Sequence, residues 1–246
     1  MNCLHRKRPK NSGFKIQNYP RVLTIAGSDS GGGAGIQADI KSISANGCFA
    51  ASAITAITAQ NTLGVNAVVG LSIDILEGQI EAVLSDIGTD SVKIGMLHSA
   101  EVVRSVARLL RKYGIKDVVL DPVMVSTSGH KLIEDSAIEV LKTELMPMAR
   151  VITPNIPEAE ILLGEPIEKQ GDLPEAARRL SEIYGVSVLL KAGHLIEDEL
   201  IELLQAEDDP TFSIYADETV PIKEVVAVMN IAKRNHYKVI MATSPE

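Results

Sequence analysis

Tryptophan is absent, and aromatic residues make up only 3% of the 246 residues, so any core must rest on Val, Ile, Leu and Ala. An excess of positive charge is also missing. The formal net charge of −8 argues against nucleic-acid and membrane-surface partners, whose phosphates demand Lys and Arg in surplus. Cysteine is scarce: Cys3 and Cys48 lie far apart and fit neither a disulfide framework nor a zinc spacing, which makes a reduced, cytoplasmic setting the default. No apolar run approaches the roughly 18 residues that a membrane-spanning helix needs. The opening segment carries the basic stretch HRKRPK without the apolar centre of a secretory signal. A disordered extension over residues 1–20 is expected there rather than a localisation signal. The five histidines show no metal spacing, and the chain has no G-x-S-x-G elbow and no paired-carboxylate signature.

What is present is a regular alternation of short apolar runs and longer amphipathic ones. RVLTIAG (21–27) predicts a buried strand, and residues 34–45 predict a helix stopped by Asn46-Gly47. FAASAITAIT (49–58) and VNAVVGLS (65–72) predict strands, and residues 73–87 predict an amphipathic helix. The pattern repeats with strands in SVKIGML (91–97), KDVVLDPV (116–123), RVITPN (150–155) and VSVLLKAG (186–193). Helices are predicted over 100–113, 136–145, 157–163 and 173–184. Continuous apolar strands spaced by helices imply a parallel sheet covered on both faces, with ligands bound beyond the carboxyl ends of the strands.

The polar and glycine residues fall at those strand ends. GSDSGGGAGIQAD (27–39) follows a strand and opens a helix, where glycines allow close backbone approach and a helix N-terminus favours electron-rich partners. Its GAGIQA run fits a dinucleotide fingerprint, but no Asp or Glu occurs between Asp39 and Asp74 to hold a ribose. It is not a P-loop, since no Gly-Lys-Ser/Thr follows, and a flexible strand-to-helix turn is the competing reading. In TPNIPEAE (153–160) two prolines present Asn155 and Glu158 at a strand end, an amide and a carboxylate suited to hydrated Mg²⁺ carrying phosphates. Asn155 serves equally well as a helix cap. Asp121 in DPVM could help to hold the cation, the loop STSG (126–129) could close over a substrate, and Lys191 in LLKAGH could reach a phosphate as a point charge. Loop chemistry and simple solvation explain these three as readily.

Taken in order, VLTIAGSDSGGGAGIQADIKS, ITAQNTLGV, KIGML, VVLDPVMVSTSG, ITPNIPEAE and LLKAGH resemble the hydroxymethylpyrimidine/phosphomethylpyrimidine kinases of thiamine synthesis, over about residues 21–204. The resemblance implies a ribokinase-like, three-layer α/β/α fold with a mostly parallel central sheet. It also implies transfer of the ATP γ-phosphate to 4-amino-5-hydroxymethyl-2-methylpyrimidine or its monophosphate, with ATP and Mg²⁺ as cofactors. By position, Gly27, Asp39 and Gln60 would line the pyrimidine pocket, and Met96 and Val123 would form its apolar wall. Asn155, Glu158 and Lys191 would serve the nucleotide, Asp121 and Glu158 the metal. The family often forms homodimers. A pyridoxal-type kinase of the same superfamily and a non-catalytic pyrimidine-binding remnant are the alternatives.

The chain departs from that family at its end. The family's Gly-Thr-Gly-Cys loop, which holds the transferring phosphoryl and supplies the general-base Cys, has no counterpart, since no glycine follows Gly193 and no cysteine follows Cys48. The catalytic residue is therefore left unassigned. Residues 209–246 read instead as strand, helix (222–233) and strand, and resemble the C-terminal end of ExbD/TolR biopolymer-transport proteins. The expectation is a kinase core over 21–205 joined to a foreign β-α-β tail over 206–246, with the C-terminal part of the fold replaced. The alternative is a divergent kinase C-terminus.

Overall fold

The computed structural model describes residues 16–124, 133–191, 211–215 and 238–242. Its centre is a six-stranded sheet in the order β2-β1-β5-β6-β7-β8, every neighbouring pair of which is parallel. The strands are β1 (Arg21–Ala26), β2 (Phe49–Ile54), β5 (Ser91–Ile94), β6 (Val118–Leu120), β7 (Val151–Ile152) and β8 (Ser187–Val188). Parallel strands need long crossovers, and helices supply them: α1 (Gly35–Ala45), α2 (Ile73–Ala82), α3 (Ala100–Lys112), α4 (Asp135–Val140), α5 (Ile156–Leu163) and α6 (Leu173–Tyr184). Both α2 and α4 run on into a π-helical turn, Val83–Ile87 and Leu141–Leu145.

The helices stop where the sequence says they should. Gly164 and Gly185 close α5 and α6 with φ of 76° and 67°, a left-handed cap that a side chain disfavours. Along β1 and β5, Leu23, Ile25, Val92 and Ile94 are fully buried in one core with Leu76, Ile80, Val103 and Leu109. Thr24 and Lys93 sit opposite each other in the register and alternate to the other face, where Asp39 of α1 meets both. Helix α1 therefore covers that second face.

The run 49–58, expected as one strand, is two. It breaks at Thr55, whose N–H donates to Ala26 O, whose hydroxyl donates to Met96 O and whose carbonyl accepts from Leu71 N–H. Beyond the break, β3 (Ala56–Asn61) leaves the sheet and pairs antiparallel with β4 (Gly64–Gly70). Three tertiary hydrogen bonds override a local pattern that has no breaker in it.

In the tail, β9 (Thr211–Tyr215) and β10 (Lys238–Ala242) form a two-stranded parallel pair. The helix expected over 222–233, the loop 126–129, His194 and the extension over 1–15 lie outside the described residues.

Candidate active site

The glycine loop leaving β1 is built around Asp29. This carboxylate is 4% exposed and accepts from the N–H groups of Gly31, Gly33 and Ala34 at 2.8, 2.9 and 2.8 Å. The Asp29 N–H in turn donates to the Gln37 side chain at 2.8 Å. The Gly31, Gly33 and Ala34 amides at the start of α1 are thus occupied by the protein's own carboxylate. Ser28 and Ser30 lace the same loop to β3: Thr58 donates to Ser28 O at 2.7 Å, and Ser30 Oγ donates to Gln60 O at 2.6 Å. Gly35 has no substitute here. Its φ is +56°, and a Cβ would overlap the carbonyl of Gly27.

Between this loop, β3 and the ends of β1 and β5 lies a cavity of about 280 Å³. Gly27, Asp39, Gln60, Met96 and Val123 all border it, together with Asp121, Lys93, Thr58 and Val65. The five residues expected around a pyrimidine are therefore brought together. A Cβ at Gly27 would press on the terminal methyl of Met96 at the cavity wall, so a larger residue there would have to displace that flexible side chain. Asp39 does not stand alone. Its Oδ2 accepts from the Thr24 hydroxyl at 2.6 Å and from Lys93 Nζ at 3.0 Å, while Oδ1 lies 2.9 Å from the same ammonium.

The residues expected to serve phosphates and metal form a second group along β6, β7 and β8. Lys191 Nζ donates to Asp121 Oδ1 at 2.7 Å, and Thr153 donates to the same oxygen at 3.1 Å. The Lys191 backbone bridges Asn155, its N–H bonding Pro154 O at 2.8 Å. Asn155 caps α5: its side chain accepts from Glu158 N–H at 2.9 Å, and Glu158 returns a carboxylate oxygen to Asn155 N–H at 2.8 Å. The capping reading of Asn155 is therefore realised in the geometry. Glu158 is 2% exposed, and its other oxygen accepts from Met124 N–H at 3.3 Å. Burial holds its carboxyl above the ordinary glutamate range against these bonds and nearby Lys191, while Asp121 pushes it the same way as burial.

No group of three or more His, Cys, Asp or Glu side chains capable of enclosing a metal exists among the described residues. Two neighbouring carboxylates, Asp121 and Glu158, suit Mg²⁺ only in its usual mode, with water and substrate phosphates completing the shell. Asp121 borders the cavity and is the direct candidate ligand. Glu158, with both oxygens on backbone amides, adds negative charge behind it.

Asp29, Lys93 and Thr24 were not among the expected site residues. Lys93 carried a signal, since it is the one charged residue in the apolar strand SVKI. Asp29 carried only its place after a strand and before four glycine-rich positions. At the end of β4, His98 packs its ring on Gly70, and its buried Nδ1 has no hydrogen-bond partner among the described residues.

A sequence model described as phosphomethylpyrimidine kinase matches residues 29–225. A hydroxymethylpyrimidine/phosphomethylpyrimidine kinase of Bacillus subtilis is 48% identical over 181 residues, which cover 74% of this chain and 67% of that protein. A thiamine biosynthesis bifunctional protein of Geobacter sulfurreducens is 49% identical over 188 residues, covering 76% of this chain but only 38% of the relative. Among solved structures, a phosphomethylpyrimidine kinase of Clostridium difficile superposes with a TM-score of 0.66 at 49% identity, covering 72% of this chain and 76% of that one. A Staphylococcus aureus pyridoxal kinase in complex with AMP-PCP and pyridoxal gives 0.63 at 32% identity, covering 72% and 63%. These neighbours are ribokinase-like kinases, and the parallel six-stranded sheet with its helices is of that fold class.

Proposed function

The chain belongs to the phosphomethylpyrimidine kinase family, and on that premise we propose that it binds 4-amino-5-hydroxymethyl-2-methylpyrimidine or its monophosphate in the β1–β5 cavity. The observation that carries the reading is the cavity lining itself, in which Gly27, Asp39, Gln60, Met96 and Val123 converge from four separate stretches of chain. A volume of about 280 Å³ suits one small heteroaromatic ring. Gln60 offers paired donor and acceptor atoms to ring nitrogens, and Met96 and Val123 offer apolar area to the ring face. A pyridoxal-type activity is the weaker reading, because the pyridoxal kinase is 32% identical where the phosphomethylpyrimidine kinase is 49%.

Mg·ATP supplies the transferring phosphoryl group. In this reading Lys191, now paired with Asp121, would serve the nucleotide phosphate oxygens, and Asp121 would help to hold the cation. Asn155 and Glu158 keep the start of α5 fixed beside them. Such charge placement is most of what a protein contributes to phosphoryl transfer. The Gly-Thr-Gly-Cys loop of the family has no counterpart in the sequence. Loss of preorganised donors to developing charge commonly lowers turnover by roughly two to three orders of magnitude. An ADP-release assay with this pyrimidine checks the proposal. Slow but pyrimidine-dependent release supports it, whereas release that ignores the pyrimidine and follows pyridoxal overturns it.

We further propose that residues 206–246 are a foreign segment joined near residue 205. In support, among the described residues β9 and β10 pair with each other and not with the six-stranded sheet. The family match running to residue 225 favours the competing reading of a divergent kinase C-terminus. Sequencing the genomic locus through codon 205 separates the two. A cytoplasmic location and a homodimer complete the proposal; the exposed Ile57, Val68 and Val69 of the β3–β4 pair give a dimer apolar area to bury, and sedimentation velocity reads it.

A further inference from the structure

Lys93 is a charged residue in an interior strand, hydrogen-bonded on both edges by β1 and β6. A lone ammonium in such a place is costly to bury, and Val or Ile would serve the sheet better. The surroundings are arranged to admit it. Gly95 leaves room, since a Cβ there would lie 3.1 Å from Lys93 Nζ. The ammonium spans both oxygens of Asp39, at 2.9 and 3.0 Å, and Thr24 adds a hydroxyl at 2.6 Å. All this is set at the wall of the cavity, which both Asp39 and Lys93 border.

A carboxylate has about four lone-pair positions. The Thr24 and Lys93 hydrogen bonds both fall on Oδ2, and the ammonium 2.9 Å from Oδ1 helps to fix the rotamer, so the open acceptor capacity is concentrated on Oδ1. We propose that Lys93, with Thr24, is a positioning residue that aims the Asp39 carboxylate at a donor N–H on the ring, making the cavity selective for rings bearing an exocyclic amino group. The idea rests on the pyrimidine reading above and deepens it from substrate class to the feature recognised. A simple structural pin between α1 and the sheet would affect all ligands alike; an aimed acceptor affects only the ligand that carries the donor.

The test is calorimetric binding of 4-amino-5-hydroxymethyl-2-methylpyrimidine and of the same ring without its amino group, to the full-length chain. A hydrogen bond to a charged group sets the expected preference at about 10- to 100-fold for the amino compound in the wild type. Lys93→Met reduces that preference to about threefold or less, by weakening the amino compound and leaving the other nearly unchanged, and Lys93→Arg restores most of it. Thr24→Val, which leaves the ion pair in place, produces a smaller loss and stands in should Lys93→Met fail to fold. A wild type that binds the amino compound while Lys93→Met or Thr24→Val keeps the full preference overturns this inference alone. A wild type that binds neither ring overturns the pyrimidine reading and this inference with it.

Discussion

The two halves of the site are built from the same residue types and left in opposite conditions. On the β1–β5 side, glycines at 27 and 95 clear space, and Asp39, Gln60 and Met96 border an open cavity. On the β6–β8 side the polar groups are already spent on one another: Lys191 on Asp121, Glu158 on the cap of α5, Asn155 on Glu158. The ring side is preorganised, and its ligand has only to displace water. The phosphate side is latent, and a strongly charged ligand must break an ion pair to enter. That difference suits a small neutral ring on one side and Mg·ATP on the other.

The largest way to break the comparison is Gly35→Ala. A Cβ at φ +56° pressing on the Gly27 carbonyl forces the loop away from β1, at a cost of about 3 kcal/mol or more in stability, with loss of ring binding. Thermal unfolding and calorimetry read both. Next is Asp29→Ala, which removes a buried acceptor from three N–H groups of an exposed loop and should cost roughly 1–2 kcal/mol by chemical denaturation. The comparison is sharpened most by a crossed pair. Gln60→Ala should weaken the ring about tenfold and leave Mg·nucleotide affinity unchanged, while Lys191→Met should do the reverse. If either variant moves both affinities equally, the two halves are not separate.

The smallest effect is a slope with pH. Burial raises the Glu158 carboxyl above its ordinary value of 4.5, so the folded chain holds that proton more tightly than the unfolded one. The stability this provides is complete below the ordinary value and is lost as pH rises through the raised one. Glu158→Gln keeps the capping box but has no proton to lose, so its stability should fall less than the wild type's as pH rises above the ordinary value of 4.5. Denaturant midpoints across that range check the sign.

Much of the core was legible because local pattern and tertiary need agree. The apolar runs of β1, β5 and β6 and the amphipathic face of α3 appear where periodicity puts them, and the glycines at 164 and 185 end their helices. Thr55 was not legible, because the run through it is apolar and unbroken, and the break is made by Ala26, Met96 and Leu71, all distant in sequence or facing from other elements. The strand-end residues of the site were legible as a set. Their partners were not: nothing local says that Asp29 consumes the loop amides, or that Asp121 lies within reach of a lysine seventy positions away. Lys93 is the intermediate case, since a charge inside an apolar strand was visible and only its partner, Asp39, was hidden.

The most direct test of a preorganised ring side beside a latent phosphate side is a titration of the wild-type chain with 4-amino-5-hydroxymethyl-2-methylpyrimidine, with no nucleotide and no Mg²⁺ present. Saturable one-to-one binding under those conditions is the predicted result. Binding that is absent until Mg·ATP is added would contradict it, because the cavity would then owe its shape to the phosphate side.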